Sequence, residues 1–540
     1  MTSLADLAID ALRKLEIDTL FCLPGVQNDD FFDRLVDARD IRPIVTRHEQ
    51  GAAYMAMGYS QVTGRPSAFC VVPGPGMLNT TAALTSAYWS GGRVLGIIGA
   101  IATFQAGKLT GALHDLRDPG AVLRQVTKHA AAITSPEPAA LIVQEAIDAL
   151  MANEARPVAI EWPADLWNAE ADGVLDPPRR TVPSIDPEQV ETIAGILAAS
   201  SSPLIIVGGG AVDAGPQITK LAETIQAPVF TRRQGHGVID ARHPLWVPIT
   251  VGYKLWATAD VALGIGTRLD FPRGWGTDDD LTIIQVNIDA DELDRHDLGT
   301  VGLHADAAMG IDAITDALGS IPARRDRSVE LSALRRTFEQ ETSVLNPQRE
   351  VLAVLRDVLP DDGIVVEDVT QLGFAAHILF EFRHPRTFLT TGPAGTLGAG
   401  TAQAIGAQVG AGNRKVVGLI GDGGFLFTAT ELATAVQHQI PVTLVVHDNG
   451  AYLNVKRMQT DKFGPDRTIA STLTNPDFVK FGESFGVPSA EAKTPGEFRS
   501  ALQTAIDHDG PSLVVLTMDE GGDPWPFLKM PRVRGKSAKP

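Results

Sequence analysis

The sequence predicts an α/β protein of three doubly wound parallel-sheet domains. Three observations carry this. The chain has 540 residues, and a single core stops growing near ~250–300 residues, so several domains are needed. Short apolar runs alternate with segments of helical period, the pattern of parallel strands joined by helical crossovers. Segments 172–188 and 320–347 are rich in charge and proline or partly helical, and they divide the chain into three stretches of similar size.

The elements follow in order. Leu4, Leu7, Ala8, Ala11, Leu12 and Leu15 lie at helical spacing. A strand from Thr19 to Leu23 ends at Pro24-Gly25. A helix over 28–37, a short strand near Ile44-Val45, and a helix from Glu49 to Val62 come next. Strand 67–72, helix 77–89 and strand 93–99 complete the first series. The second stretch begins with the strand Leu204 to Val207 and ends near 320. The third has strands near 363–366, 415–420, 441–447 and 512–517. The basic segment from Met530 to Pro540 has no apolar period and reads as a mobile or loosely docked tail. No internal repeat is visible in the sequence.

Composition narrows the function. Hydrophobic residues make up 44% and charged residues 21%, which excludes a disordered or fibrous chain. Lys and Arg number 46 against 65 Asp and Glu, a formal charge of -19. Such a surface repels phosphate backbones, so no nucleic-acid partner is expected. Cys22 and Cys70 cannot build a disulfide framework or a four-cysteine zinc site, which suits a reducing cytoplasm. No signal peptide is evident, and the longest apolar stretch, Val94 to Ala102, is far below the ~20 residues of a spanning helix, so no membrane partner is expected.

The most informative segment is Val416 to Ala451. A buried strand runs into Gly421-Asp422-Gly423-Gly424, a helix follows, and a second strand ends at Asp448-Asn449-Gly450. Ligands of doubly wound sheets bind at the carboxyl ends of strands, where both clusters fall. Glycines let the backbone approach an anion, and an Asp with an Asn carbonyl suits a hard cation such as magnesium. A GDGG turn alone is weak evidence. Here 24 residues separate Gly423 from Asp448, the length of a strand-helix-strand return.

This GDG, followed 24 residues later by an Asp-Asn pair, resembles the signature of thiamine diphosphate enzymes. The resemblance implies that Asp422 and Asn449 bind Mg²⁺ by side chain and Ala451 by its carbonyl. Asp448 stands where the family has a first Asn, a departure that leaves the metal ligands intact. Gly421, Gly423 and Gly424 would sit against the diphosphate. The family also needs a carboxylate at N1′ of the cofactor's aminopyrimidine, favouring the tautomer that takes the proton from its reactive carbon. Arg47-His48-Glu49-Gln50-Gly51-Ala52-Ala53 resembles the motif around that residue, which makes Glu49 the candidate, in a largely buried position. His48 is adjacent on the helix and reads as structural. TGPAGTLGAGTAQAIG over 391–406 resembles the stretch under the bent cofactor, with Gly395 in it and Leu397 as the supporting residue. Gly74-Pro75-Gly76 with Asn79 resembles a loop of the pyrimidine domain, and Gly25 ends its first strand. The implied domains are pyrimidine-binding 1–175, middle 186–325 and diphosphate-binding 346–525, with a tail over 526–540.

Within this family the chain looks like the acetolactate synthase and pyruvate decarboxylase group, without the full pattern of either. Val26 follows Pro24-Gly25 where pyruvate decarboxylases carry Asp. The later loop reads Leu113-His114-Asp115-Leu116, neither a His pair nor Phe-Gln-Glu. His114 and Asp115 are the acid–base candidates there, His114 moving a proton and Asp115 setting its tautomer; a plain surface loop is the other reading. Lys456 or Arg457 would meet an anionic substrate, or form a solvated basic turn. Gly208-Gly209-Gly210 lacks the GxGxxG spacing, so a tight turn is the reading there, although relatives hold FAD in this domain. The reaction implied is decarboxylation of a 2-oxo acid, with or without ligation to an aldehyde or second 2-oxo acid. The alternatives are an FAD-containing oxidase and a non-catalytic thiamine diphosphate-binding homologue. A homodimer, paired or not into a tetramer, is expected.

Overall fold

The computed structural model describes residues 2–296, 299–518 and 521–535. Three parallel sheets of six, five and six strands form the three layers. In the first, the order is Arg42–Val45, Thr19–Cys22, Ser67–Val71, Val94–Ala100, Val158–Pro163, His129–Ala132. In the third it is Phe388–Thr390, Ile364–Glu367, Val416–Gly421, Thr443–His447, Ser512–Leu516, Ser489–Ala492. Counted in chain order, both sheets read 2-1-3-4-6-5. The first and third domains are thus a structural repeat, though no sequence repeat announces it. The middle sheet reads 2-1-3-4-5, from Val229–Thr231 to Val301–His304.

The repeat fixes the packing. The helix Glu49–Thr63 follows the second strand of the first sheet, and the helix Gly400–Ala411 follows the second strand of the third. These equivalent helices cross face to face. A Cβ on Gly406 would lie 2.0 Å from the Met55 carbonyl oxygen, and one on Gly58 would lie 2.1 Å from that of Gln403. Only glycine permits backbones this close. The sheet faces on either side share one apolar core, from Phe21 and Tyr54 through Ala404 and Phe425 to Val515. The outer faces have their own cores, around Trp162 and Trp167 in the first domain and Phe388 and Leu502 in the third. The middle domain is a separate core around Phe230, Trp256 and Trp275.

Several expectations are corrected. The first series continues beyond residue 99, through helices Pro119–Val126 and Ala139–Met151 and two more strands. The helix expected over 77–89 is two, Pro75–Asn79 and Thr81–Ser90. The helix expected after Gly424 breaks into Asp422–Thr428, a 3₁₀ turn Ala429–Glu431, and Leu432–Gln437. The basic tail is docked as far as Gly535. Its Arg534 guanidinium donates to the Trp256 and Ala259 carbonyls and to Asp278, and the Val533 N–H donates to the Trp275 carbonyl. Residues 536–540 lie outside the described residues. Among the described residues, no helix is long and apolar enough to cross a membrane.

Candidate active site

The switch point of the third sheet lies between its first and third strands, Ile364–Glu367 and Val416–Gly421, whose chains leave in opposite directions. Their carboxyl ends deliver Asp368 and Asp422. Of the residues expected at the cofactor, Leu397, Gly421, Asp422, Gly423, Gly424, Asn449 and Ala451 border one cavity of about 80 Å³. Gly395 does not border it, but lies two residues before Leu397 with φ at 57°, where a side chain would be strained.

Asp422 is buried. Its Oδ2 accepts the Ala451 N–H at 3.2 Å and the Asn475 amide at 2.7 Å, and the same amide reaches Asp448 Oδ1 at 2.8 Å. Burial pushes the Asp422 carboxyl above its ordinary pKa, Asp448 adds to the shift, and the hydrogen bonds oppose it. Asn449 Oδ1 is buried with no hydrogen-bond partner. A desolvated carboxylate beside an unpaired amide oxygen fits a hard cation, which would satisfy both. Ala451 is held in place by an antiparallel bridge to Thr472. Asp448 does not border the cavity; it turns into its own loop, accepting the Gly450 N–H.

Asp368 was missed by the sequence reading. It is 1% exposed. Its Oδ2 accepts the N–H groups of Gly398 and Gly400 at 3.1 and 3.2 Å, and its Oδ1 that of Val369 at 2.7 Å. It thereby clamps the Leu397 loop against the Gly421–Gly424 turn, where a Cβ on Gly424 would be 2.9 Å from Asp368 Oδ2. Burial pushes its pKa up to about 6. The signal was present: an Asp at the carboxyl end of a recognised strand, beside the one that ends at Asp422.

Glu49 opens its helix on the rim of the first sheet. Its side chain is 14% exposed, and its Oε2 accepts the Asn79 amide at 3.0 Å. His48 is the helix cap: its Nδ1 accepts the Gln50 N–H. The approach to this helix is held from the third domain, because Glu431 accepts the N–H groups of Arg47 and His48. Glu431 also was not foreseen. Gly25 and Val72, at the ends of the adjoining switch-point strands, touch.

His114 sits at a φ of 68° and borders a second cavity, of about 300 Å³. Its Nδ1 and Asp115 Oδ1 are both buried without hydrogen-bond partners. The expected pairing is not made, since no bond joins the two among the described residues, and Asp115 is not on the cavity wall. Arg457 is turned to its own domain, donating to Gln371 Oε1 and the Gly521 carbonyl. In the middle domain, Gly208 and Gly210 pack on the backbone of Gly266, so close turn packing accounts for them.

Comparison with known proteins agrees with this geometry. The family description "thiamine pyrophosphate enzyme, N-terminal TPP binding domain" matches residues 2–121. The central domain of the same enzymes matches 190–314, and their C-terminal TPP binding domain matches 368–516. A probable 2-ketoarginine decarboxylase, AruI, of Pseudomonas aeruginosa is 32% identical over 94% of this chain and 92% of its own length. A probable acetolactate synthase large subunit of Methanocaldococcus jannaschii is 29% identical over 95% and 92%. The acetolactate synthase isozyme 2 large subunit of Escherichia coli is 28% identical over 97% of each. With three matched domains in family order and a full-length relative above 30% identity, the chain belongs to the thiamine pyrophosphate (thiamine diphosphate) enzymes.

Proposed function

We propose that the protein is a thiamine diphosphate- and Mg²⁺-dependent enzyme that decarboxylates a 2-oxo acid, alone or with ligation to a carbonyl acceptor. The observation that carries the metal half is the buried, unpartnered Asn449 Oδ1 beside Asp422. Asp422, Asn449 and the Ala451 carbonyl would hold the ion, with Gly421, Gly423 and Gly424 against the diphosphate and Leu397 beneath the cofactor. The bound cofactor supplies a carbon nucleophile and a sink for the electron pair released with carbon dioxide. Glu49 holds the proton that activates it: Asn79 occupies Oε2 and orients the carboxyl, leaving Oε1 to share a proton with the aminopyrimidine. The names of the relatives, a decarboxylase and synthases of acetolactate, support this reaction class.

A second copy of the chain completes the site in this reading. The cavity at Asp422 is bordered only by residues between 369 and 455, and Glu49 is on another domain. Apolar side chains stand exposed beside both halves: Val26, Leu78 and Leu113 near Glu49, and Phe427, Val455 and Met458 near Asp422. Facing copies would bury these and bring each Glu49 to the partner's metal site. The test is a screen of 2-oxo acids for CO₂ release, with and without aldehyde, on protein stripped and then given thiamine diphosphate and Mg²⁺. Turnover that needs both additions supports the reading. Full turnover after exhaustive chelation refutes it.

A further inference from the structure

Asn79 holds the tip of the Glu49 side chain, but the backbone at its root is held from another domain. The holder is Glu431, the last residue of the 3₁₀ turn Ala429–Glu431, and it is 0% exposed. Its Oε1 accepts the N–H groups of Arg47 and His48 at 3.1 and 3.0 Å. Its Oε2 accepts the Thr434 hydroxyl at 2.6 Å and the Arg47 N–H at 3.2 Å. Burial pushes the Glu431 carboxyl above its ordinary pKa, and the Thr434, Arg47 and His48 donors oppose the shift. The two N–H groups immediately precede the helix Glu49–Thr63, at the positive end of its dipole, where a carboxylate is favoured.

The sequence makes room for this contact. A Cβ on Gly51 would lie 2.2 Å from Glu431 Oε1, so the glycine two residues after Glu49 admits the carboxylate to the helix end. A glycine in the first turn weakens a helix, and here the close approach requires it. Neighbouring contacts repeat the pattern. His438 Nε2 accepts the Val45 N–H at 3.0 Å, the Thr434 hydroxyl lies 3.3 Å from the Val45 carbonyl, and Arg47 donates to Gln437 Oε1 at 2.6 Å. The edge strand Arg42–Val45 and the turn that leads to Glu49 are thus bonded to residues 431–438 of the third domain.

We propose that Glu431 is a positioning residue: by accepting the Arg47 and His48 N–H groups it sets where the Glu49 carboxyl meets the aminopyrimidine. The proposal rests on the thiamine diphosphate reading above and deepens it. Asn79 orients the carboxyl, whereas the placement of the helix start decides its reach. A site of this kind is held to about 0.5 Å, and a displacement of ~1 Å costs about 100-fold in rate. The role is one of contact, so an amide oxygen in place of Oε1 suffices.

Three variants of the full chain test it. Glu431→Leu removes the acceptors at similar volume. Glu431→Gln keeps an oxygen in the Oε1 place. Gly51→Ala leaves Glu431 intact but drives its Oε1 from the two N–H groups. In the stripped protein, amide hydrogen exchange of the peptide 45–52, read by mass spectrometry, should quicken in Glu431→Leu and Gly51→Ala and not in Glu431→Gln. On loading, exchange of the cofactor's reactive C–H proton should fall about 100-fold in the first two. Glu431→Gln should keep it within about fivefold of wild type, and Glu431→Leu with Gly51→Ala should be no slower than either alone, since both remove one contact. The Kd for thiamine diphosphate with Mg²⁺ should stay within about threefold throughout, because the third domain holds the ion and the diphosphate. An unaltered C–H exchange rate in Glu431→Leu overturns the proposal; if that variant does not fold, an unaltered rate in Gly51→Ala overturns it instead. A rate that falls only in step with cofactor binding marks a merely structural role and also overturns it, as does an equal loss in Glu431→Gln, which would assign the charge rather than the contact. A wild type that binds the cofactor yet never exchanges its proton refutes the thiamine reading itself, and the proposal with it.

Discussion

Removing the Asn449 side chain should stabilise the metal-free protein while abolishing its response to cofactor. Asn449 Oδ1 is buried and makes no hydrogen bond. An unsatisfied buried acceptor costs about 1–3 kcal/mol, which Asn449→Ala recovers. Lost packing at a half-buried position takes back about 1 kcal/mol. The metal-free variant should therefore match the wild type or exceed it by up to about 2 kcal/mol. In a domain of this size, one kcal/mol is worth roughly 2–4 °C in Tm. The wild type at cofactor and Mg²⁺ concentrations of 100 times Kd should gain about 2.7 kcal/mol, or roughly 5–10 °C. The variant should gain nothing. The assay is thermal unfolding of both proteins, stripped and loaded, followed in the third domain. A stripped variant that melts well below the stripped wild type would show that Asn449 Oδ1 is not an unsatisfied acceptor. A variant whose melting temperature still rises when thiamine diphosphate and Mg²⁺ are added would show that Asn449 does not hold the ion.

Glu49→Gln should retain the cofactor but slow exchange of its reactive C–H proton by orders of magnitude, read by quenched-flow NMR; an unchanged rate would remove Glu49 from its role. Mixing Glu49→Gln with Asp422→Ala chains should restore activity if the site is shared between copies, because half of the sites in a mixed dimer carry neither lesion. Hybrids with no more activity than the parents refute sharing. Gly406→Ala should destabilise by about 2 kcal/mol or more, since the new Cβ must be relieved from 2.0 Å against a carbonyl and the helix gains only about 1 kcal/mol from alanine; an unchanged denaturation midpoint would contradict the close crossing. Glu161 is raised from 4.5 to about 7 by burial first and Asp118 second, against Arg124. The folded state thus holds that proton more tightly than the unfolded chain, and the wild type should lose up to about 3 kcal/mol as pH rises from 4.5 through 7. Glu161→Gln should lack this loss and be the more stable protein at pH 8, which urea titrations across pH will show.

What the sequence disclosed and what it hid follow different physics. Asp422 and Asn449 were legible because both end strongly apolar strands, and a fixed strand-helix-strand length returns one beside the other. Asp368 ends an equally clear strand, but its role is to accept backbone N–H groups from a loop 30 residues on, and no local pattern records that. Glu161 escaped because the irregular stretch after Val94–Ala100 closed the element series too early, before the helices Pro119–Val126 and Ala139–Met151 and the strand Val158–Pro163. The edge strands Phe388–Thr390 and Ser489–Ala492 are short, and the second is half polar, so alternation could not distinguish them from loops. The repeat of the 2-1-3-4-6-5 sheet was invisible because topology constrains apolar periodicity, not residue identity. The Glu49 helix was placed correctly at its first residue, yet the Glu431 contact that anchors its approach joins positions 383 apart.

The docked segment at residues 530–535 has a consequence for how the protein is made. Arg534 supplies donors to the Trp256 and Ala259 carbonyls, inside a domain whose last strand ends at His304. On the ribosome, that domain emerges more than 200 residues before its final hydrogen-bond donor is synthesised. Until then two interior carbonyls and Asp278 face a vacant groove. The middle domain therefore completes its own hydrogen bonding only after the third domain has been translated, so its last stabilising contacts depend on a segment that folds after both.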